Sequence, residues 1–274
     1  MKIFITGSTG FIGSNFVLKY NKSFSYIFFF KRGDNLKERL EETKPNIILN
    51  CAAEIYDENN MWSTNYLMVA DIIQFLKRNP QTKFIQLGSS SEYGSVDRAT
   101  NETDRLLPQG MYATTKAMAS TLCTTEAADK NLKVVIVRPY SPFGVGEKPH
   151  RLFPKLLKAF KYDEPMDLTN GVHDFCYIHD FIDGLKLVVD RENEPGEVVN
   201  ISSGVETTNK EVYDTFVDVT GEKNAPITFL DKFVTYPKWQ ANINHITNKY
   251  GWKCKYSLKE GITDFLRTNY YEST

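Results

Sequence analysis

The sequence predicts a doubly wound parallel α/β sheet, and three observations predict it. Short apolar runs alternate with longer stretches of helical periodicity. The first run passes directly into Gly7-Ser8-Thr9-Gly10-Phe11-Ile12-Gly13 and then into a helical pattern. Two later runs end in small or hydroxyl-bearing residues, at the carboxyl ends of strands where open α/β sheets bind ligands. A chain of 274 residues has room for one such domain and a smaller appendage.

Lys2–Thr6 is the kind of short apolar run that is buried in a parallel sheet. Gly7, Gly10 and Gly13 allow a tight turn and a close backbone approach. With Thr9, Phe11 and Ile12 they lead into a helix through Phe16, Val17 and Tyr20, whose N-terminus suits a dinucleotide pyrophosphate. Tyr26–Phe30 is the second strand. An acid for ribose hydroxyls usually follows about twenty residues past the glycines, and Lys31 and Arg32 stand there instead. A basic pair suits a 2′-phosphate and favours NADP(H) over NAD(H); a solvated strand end, with Asp34 close by, is the competing explanation.

Leu36–Thr43 is a helix stopped by Pro45. Ile47–Asn50 is a strand ending in Cys51-Ala52-Ala53, small enough for a ligand or another backbone to come close. Met61–Arg78 is a helix closed by Asn79-Pro80, and Lys83–Leu87 a strand followed by Gly88-Ser89-Ser90-Ser91-Glu92-Tyr93-Gly94. A helix opens at Tyr112, and Val134–Val137 is the next strand. Beyond about Gly146 the alternation loosens. Helices are expected over Leu152–Phe160, from an Asp180 cap to Val189, over Asn209–Val219 and over Leu258–Leu266, with strands at Pro165–Leu168 and Val198–Ile201.

Tyr112 and Lys116 are the chemical centre. Four apart on a helix, they share a face. An ammonium beside a phenol favours the phenolate, which would lower the Tyr112 pKa and let it give or take a proton near neutrality. That spacing alone is common on surface helices; the glycine turn and the serine run raise it to a candidate site. Composition removes other classes. With 24% charged residues and a formal net charge of −1, neither nucleic acid nor an anionic membrane is an expected partner. Cys51, Cys123, Cys176 and Cys254 form no CxxC pair and the four histidines show no ligand spacing, so reduced thiols and no metal site are expected. No apolar run approaches the ~20 residues of a membrane helix. The first residues read as a strand rather than a signal peptide, which makes the cytoplasm the expected compartment.

These motifs together resemble the extended short-chain dehydrogenase/reductase superfamily, in its nucleotide-sugar epimerase/dehydratase/reductase family. The likeness spans nearly the whole chain. It rests on the glycine turn, Asn50-Cys51-Ala52-Ala53, the serine turn to Gly94, Tyr112-Ala113-Thr114-Thr115-Lys116, Arg138-Pro139-Tyr140-Ser141-Pro142-Phe143-Gly144, Asp174-Phe175-Cys176-Tyr177-Ile178-His179-Asp180 and Tyr250-Gly251-Trp252. The resemblance implies a Rossmann domain for NAD(P) over residues 1–146, to which segments around 172–202 return, and a nucleoside-diphosphate-sugar domain over most of 147–274. It implies a triad of Ser89, Tyr112 and Lys116, with Ser90 and Ser91 as the alternatives to Ser89. Ala52 and Ala53 would line the cofactor; Ser90, Ser91, Ser141 and Arg151 would meet the substrate, Arg151 either on the diphosphate or as a solvated helix start. A homodimer through the Tyr112–Lys116 helix is also implied.

The reaction is narrowed by departures from the family pattern. Dehydratases of this family carry an acid just after the catalytic serine and a glutamate two before the motif tyrosine; Ser90 and Ser91 fill those places and Glu92 stands one residue late. The GDP-fucose synthase branch epimerises with a cysteine and a histidine where this chain has Ser91 and Arg151. Reduction of a nucleotide-linked 4-keto-6-deoxysugar, which Lys31-Arg32 favours, comes first, 4-epimerisation with a bound cofactor is the alternative, and 4,6-dehydration is disfavoured. A non-catalytic NADP-binding sensor is disfavoured because the triad is complete.

Overall fold

The computed structural model describes residues 1–233 and 238–271. In chain order the elements are β1 (Lys2–Thr6), α1 (Phe11–Tyr20), β2 (Tyr26–Phe29), α2 (Leu36–Thr43) and β3 (Ile47–Asn50). A long helical stretch follows, made of α3 (Glu58–Met61), a π-helical segment Trp62–Leu67, and α4 (Met68–Arg78). Then come β4 (Lys83–Leu87), α5 (Gly110–Lys130), β5 (Val134–Pro139), β6 (Ser141–Phe143), α6 (Leu152–Tyr162), β7 (Met166–Asn170) and β8 (Val172–Tyr177). The chain continues through α7 (Ile178–Asp190), β9 (Glu197–Ile201), β10 (Glu206–Thr208), α8 (Asn209–Thr220), β11 (Ile227–Phe233), α9 (Asn244–Tyr250) and α10 (Leu258–Leu266).

Six strands form one sheet in the order β2-β1-β3-β4-β5-β9, every neighbouring pair parallel. The order reverses at β1, so the sheet is doubly wound, the class that the alternation predicts. Its strands are apolar throughout because both faces are covered. Ile3, Ile5, Ile47, Leu49, Ile85, Leu87, Val135 and Val137 pack on one side with Phe16 of α1 and Phe181 and Leu185 of α7. Phe4, Ile48, Phe84, Val134 and Ile136 pack on the other with α2, α4 and α5, through Leu40, Ile72, Leu76, Ala119 and Cys123. The reversal opens a crevice beyond the carboxyl ends of β1 and β3, where such sheets bind ligands.

The remaining strands form a sheet β10-β8-β6 and a parallel pair β11-β7. The sequence reading has no strand at β6, β8, β10 or β11, because polar residues such as His173, Asp174 and Glu206 interrupt their apolar pattern. Asp180 corrects a second expectation. Helix α7 begins at Ile178 with Tyr177 at its cap, and buried Asp180 uses Oδ2 to accept the amides of Lys255 and Tyr256, both at 2.9 Å. It ties the C-terminal loop to α7. Among the described residues no helix is long and apolar enough to cross a membrane.

Candidate active site

The crevice starts at the glycine turn. Gly7 has φ +64°, and a Cβ there would lie 2.6 Å from the Ala52 nitrogen. A Cβ on Gly13 would lie 2.2 Å from the Gly7 carbonyl oxygen. Both positions therefore require glycine, because the missing Cβ is what lets backbone pack on backbone there. Gly10 caps α1, no side chain caps the helix and its first turn holds no acid, so the amide end faces the crevice free of a competing carboxylate.

A buried polar chain runs under this turn across three strands. Thr6 Oγ1 donates to Asn50 Oδ1, Asn50 Nδ2 donates to Gln86 Oε1 at 2.7 Å, and Gln86 Nε2 donates to the Leu87 carbonyl at 2.8 Å. The Ala52 amide closes it on Thr6 Oγ1 at 3.3 Å. The sequence signal for the chain was present but unused: each residue is a polar group near the end of an apolar strand.

The same Leu87 carbonyl accepts Lys116 Nζ at 2.5 Å. Lys116 is 2% exposed, and burial lowers its pKa to about 8 against the pull of Glu92. Tyr112, one helical turn earlier, hydrogen-bonds Ser89. Burial raises the Tyr112 pKa; the Ser89 hydrogen bond opposes this and Glu92 adds to it. The expected depression of the phenol by Lys116 is therefore corrected. The ammonium is committed to the end of β4, and desolvation of the phenol decides the sign. Tyr112 is a neutral phenol at physiological pH, the state from which a proton is given.

Ser89 is fixed from below. Its Oγ accepts from Ser91 N at 3.1 Å and Ser91 Oγ at 2.7 Å, which leaves its own proton to donate. Its amide donates to Glu92 Oε1 at 2.8 Å, and Glu92 Oε2 accepts Arg138 Nε at 2.8 Å, in an ion pair whose side chains are 0% and 3% exposed. Arg138 continues to the Tyr93 hydroxyl at 2.8 Å, which donates to Asn200 Oδ1 at 2.8 Å. Ser90 is buried in the same turn. From the other side, buried Asn65 in the π-helical segment donates to Thr115 Oγ1 at 3.1 Å, next to Lys116. Sequence reasoning assigned no role to Arg138 or Asn65.

The mouth of the crevice is different. Arg151 caps α6 and is half exposed; its Nε donates to Glu147 Oε1 at 3.3 Å, and its charge lowers the pKa of both Tyr112 and His173. Ser141 Oγ lies 3.5 Å from His173 Nδ1, and burial first, then Arg151, lowers His173 to about 4. His150 bonds the Tyr56 hydroxyl, joining the loop after β3 to the loop before α6. Asn15 of α1 donates to the Val145 carbonyl at 3.1 Å, tying that loop to the glycine turn's helix. Lys31 and Arg32 are both exposed beyond the edge strand β2. Asp34 Oδ2 accepts the Lys31 amide at 2.9 Å, so that acid is used in shaping its own turn. Ser89, Tyr112, Lys116 and the Gly7–Ala52 contact thus form one crevice floor, with Ser141 and Arg151 at its mouth and Lys31-Arg32 apart on the sheet edge. Among the described residues no cluster could hold a metal ion.

A model of the NAD dependent epimerase/dehydratase family matches residues 3–202. The chain belongs to this family. It is accordingly an NAD(P)-dependent enzyme of the extended short-chain dehydrogenase/reductase type. The chain is similar to the low-salt glycan biosynthesis protein Agl12 of Haloferax volcanii, 26% identical over 96% of each chain. It is similar to a dTDP-4-dehydro-6-deoxyglucose reductase of Escherichia coli, 24% identical over 83% of this chain and 70% of the relative. Its fold superposes on dTDP-glucose 4,6-dehydratase of Bacillus anthracis, solved with NAD, with a TM-score of 0.89 at 22% identity, covering 100% of this chain and 97% of that one. Other members that match are named as epimerases and dehydratases.

Proposed function

We propose that the protein is an NADPH-dependent reductase of a nucleotide-linked 4-keto-6-deoxysugar. One observation carries this reading: Tyr112, a neutral phenol, meets Ser89, whose proton is left to donate, and the one acid of the serine turn, Glu92, is spent on holding that turn. Ser90 and Ser91 occupy the dehydratase positions, and both oxygens of Glu92 are engaged by Arg138 and the Ser89 amide. Such a site serves carbonyl reduction and has no group to expel water.

The residues fit a dinucleotide. The turn of Gly7, Thr9, Gly10, Phe11, Ile12 and Gly13 has no space for side chains at Gly7 and Gly13 and presents the uncapped end of α1 to a pyrophosphate. Ala52 and Ala53 line the dinucleotide, and Lys31 and Arg32 take the 2′-phosphate. When bound, the nicotinamide supplies the hydride. Ser89 hydrogen-bonds the sugar carbonyl oxygen, and Tyr112 gives it a proton. Lys116, whose ammonium stands at the Leu87 carbonyl, would hold the nicotinamide ribose and support the phenolate that remains. Ser90, Ser91, Ser141 and Arg151 face the nucleotide sugar, which lies between the six-stranded sheet of residues 1–146, joined by segments around 172–202, and the elements that make up most of 147–274. Neighbours solved with NAD and with NADPH support a nicotinamide dinucleotide of either kind; the basic pair selects NADPH.

A 4-epimerase that keeps its cofactor is the second reading. It is favoured by similarity to a protein of Bacillus subtilis named as an uncharacterized UDP-glucose epimerase, 26% identical over 96% of each chain. The protein acts as a homodimer in either case. Leu107, Met111 and Met118 near and on α5, with Trp62 and Leu67 of the π-helical segment, form an exposed apolar face that a second copy of the same helices fits. NADPH absorbance followed with a panel of nucleotide-linked 4-keto-6-deoxysugars tests the function. Stoichiometric loss with one of them is the expected result. No loss across the panel, with interconversion of a nucleotide hexose and its C4 epimer, would establish the second reading instead.

A further inference from the structure

The loop between β6 and α6 carries a carboxyl group that the proposed reaction does not use. Gly144 and Gly146 both have positive φ, and the Glu147 amide donates back to the Gly144 carbonyl at 3.2 Å. The turn folds Glu147 inward, and its side chain is 5% exposed. Oε1 accepts Arg151 Nε at 3.3 Å. Oε2 is buried and has no partner among the described residues. A carboxylate in that setting depends on its single cationic neighbour, since a buried charge without a partner is costly.

Arg151 reaches Glu147 through Nε alone. Its terminal nitrogens have no hydrogen bond among the described residues, and they form the fork that pairs with phosphate oxygens. The other groups around the loop are few. Lys148 and His150 on the same loop are exposed, His150 being bonded to Tyr56. Phe11 and Asn15 of α1, which face the loop, are uncharged. His173 on β8 and Tyr112 on α5 lie in the field of Arg151. Among the described residues Arg151 is the one charged side chain that acts on Glu147.

We propose that Glu147 is a positioning residue that holds Arg151 by its Nε with the fork towards the crevice, and that it takes up a proton from solvent when a bound diphosphate compensates the Arg151 charge. Nucleotide-sugar binding is then linked to proton uptake. This rests on the reading of the crevice as a nucleotide-sugar site. The direction follows from elementary electrostatics. Two phosphate charges beside Arg151 remove the support for ionised Glu147 and add repulsion to it. Burial already raises this carboxyl to about 7, with Arg151 holding it down from higher values. At pH 7 the group is therefore near half-ionised, and its response is roughly 0.4 proton per site.

Calorimetric titration of the full-length protein, with NADPH present, tests this. The probes are dTDP-glucose, UDP-glucose and GDP-mannose, whose doubly esterified diphosphates exchange no proton near pH 7. Each is titrated at pH 7 in two buffers of different ionisation enthalpy, and the difference counts protons. The wild type is expected to take up roughly 0.4 proton with the nucleotide that binds, and the uptake is expected to vanish near pH 5, where Glu147 is already protonated. Glu147→Gln is expected to bind within about tenfold of wild type and to take up none. A merely structural glutamate would change affinity and leave the proton count. Equal uptake in Glu147→Gln, or loss of uptake in His150→Gln with retention in Glu147→Gln, overturns the assignment. If none of the three probes binds the wild type, the nucleotide-sugar reading fails and the inference falls with it; binding without Glu147-dependent uptake defeats the inference alone.

Discussion

The floor of the crevice and its mouth are built by different means. On the floor, Ser89, Glu92 and Lys116 are buried and held by strand ends and one helix, and the Glu92–Arg138 pair ties the serine turn to β5. His150 and Arg151 at the mouth, and Lys31 and Arg32 on the sheet edge, are exposed or half exposed and sit on turns and loops. On the proposed function, the floor holds the groups that must give a proton and a hydrogen bond in one geometry, and the mouth would meet a flexible, charged substrate, for which long side chains on loops suffice. Damage to the floor should therefore abolish chemistry or stability, and damage to the mouth should change affinity.

The largest effect belongs to Tyr112. Tyr112→Phe is expected to lower kcat about a thousandfold while leaving NADPH affinity within about threefold, the range expected for loss of a positioned acid. Steady-state kinetics with fluorescence titration check it, and unchanged turnover would remove Tyr112 from the reaction. Glu92→Ala leaves Arg138 buried without its carboxylate and is expected to cost about 3–5 kcal/mol in urea denaturation. The double variant Glu92→Ala/Arg138→Met is expected to recover part of this. A loss below about 1 kcal/mol in the single variant would mean that the floor is not held by this pair.

Smaller effects probe the sheet edge and the mouth. Lys31→Ala with Arg32→Ala is expected to weaken NADPH binding about 50-fold, roughly 2 kcal/mol, and NADH binding less than about twofold. Equal weakening of both would move the 2′-phosphate elsewhere. Glu147 gives the pH dependence. The fold raises its pKa from 4.5 to about 7, so the folded protein holds this proton more tightly than the unfolded chain does. Its stability cost appears as pH rises from 4.5 and is complete above about 7. Glu147→Gln is therefore expected to match the wild type near pH 4 and to exceed it at pH 8 by about 3 kcal/mol, read from denaturant midpoints. Arg151→Ala, the mildest, is expected to raise KM for the nucleotide sugar about tenfold with kcat little changed.

The same contrast explains what was legible in the sequence. The six-strand sheet could be read because each strand is an apolar run bounded by a turn. Gly7 and Gly13 could be read because sterics leave no other residue there. Tyr112 and Lys116 were visible as a spacing, but the direction of the Tyr112 shift was not. That sign depends on where the Lys116 ammonium goes and how deeply the phenol is covered, which only packing decides. Arg138 and Glu92 lie 46 residues apart in the chain, and no local pattern announces their pairing. Glu147 follows the same rule: nothing in Gly146-Glu147-Lys148 shows that one carboxylate oxygen is buried without a donor. The small sheets around β8 and β11 were hidden because polar residues break their alternation.

The most direct measurement uses NADPH carrying deuterium at the transferred position of the nicotinamide. The protein is given a nucleotide-linked 4-keto-6-deoxysugar, and the product is read by mass and by NMR at C4. One deuterium at C4 for each NADPH oxidised is the result expected of a reductase with Tyr112 as proton donor, with the yield collapsing in Tyr112→Phe. No deuterium at C4 and no NADPH oxidised, with inversion at C4 of a nucleotide-linked hexose supplied in place of the ketone, would contradict net reduction and assign the crevice to an epimerase.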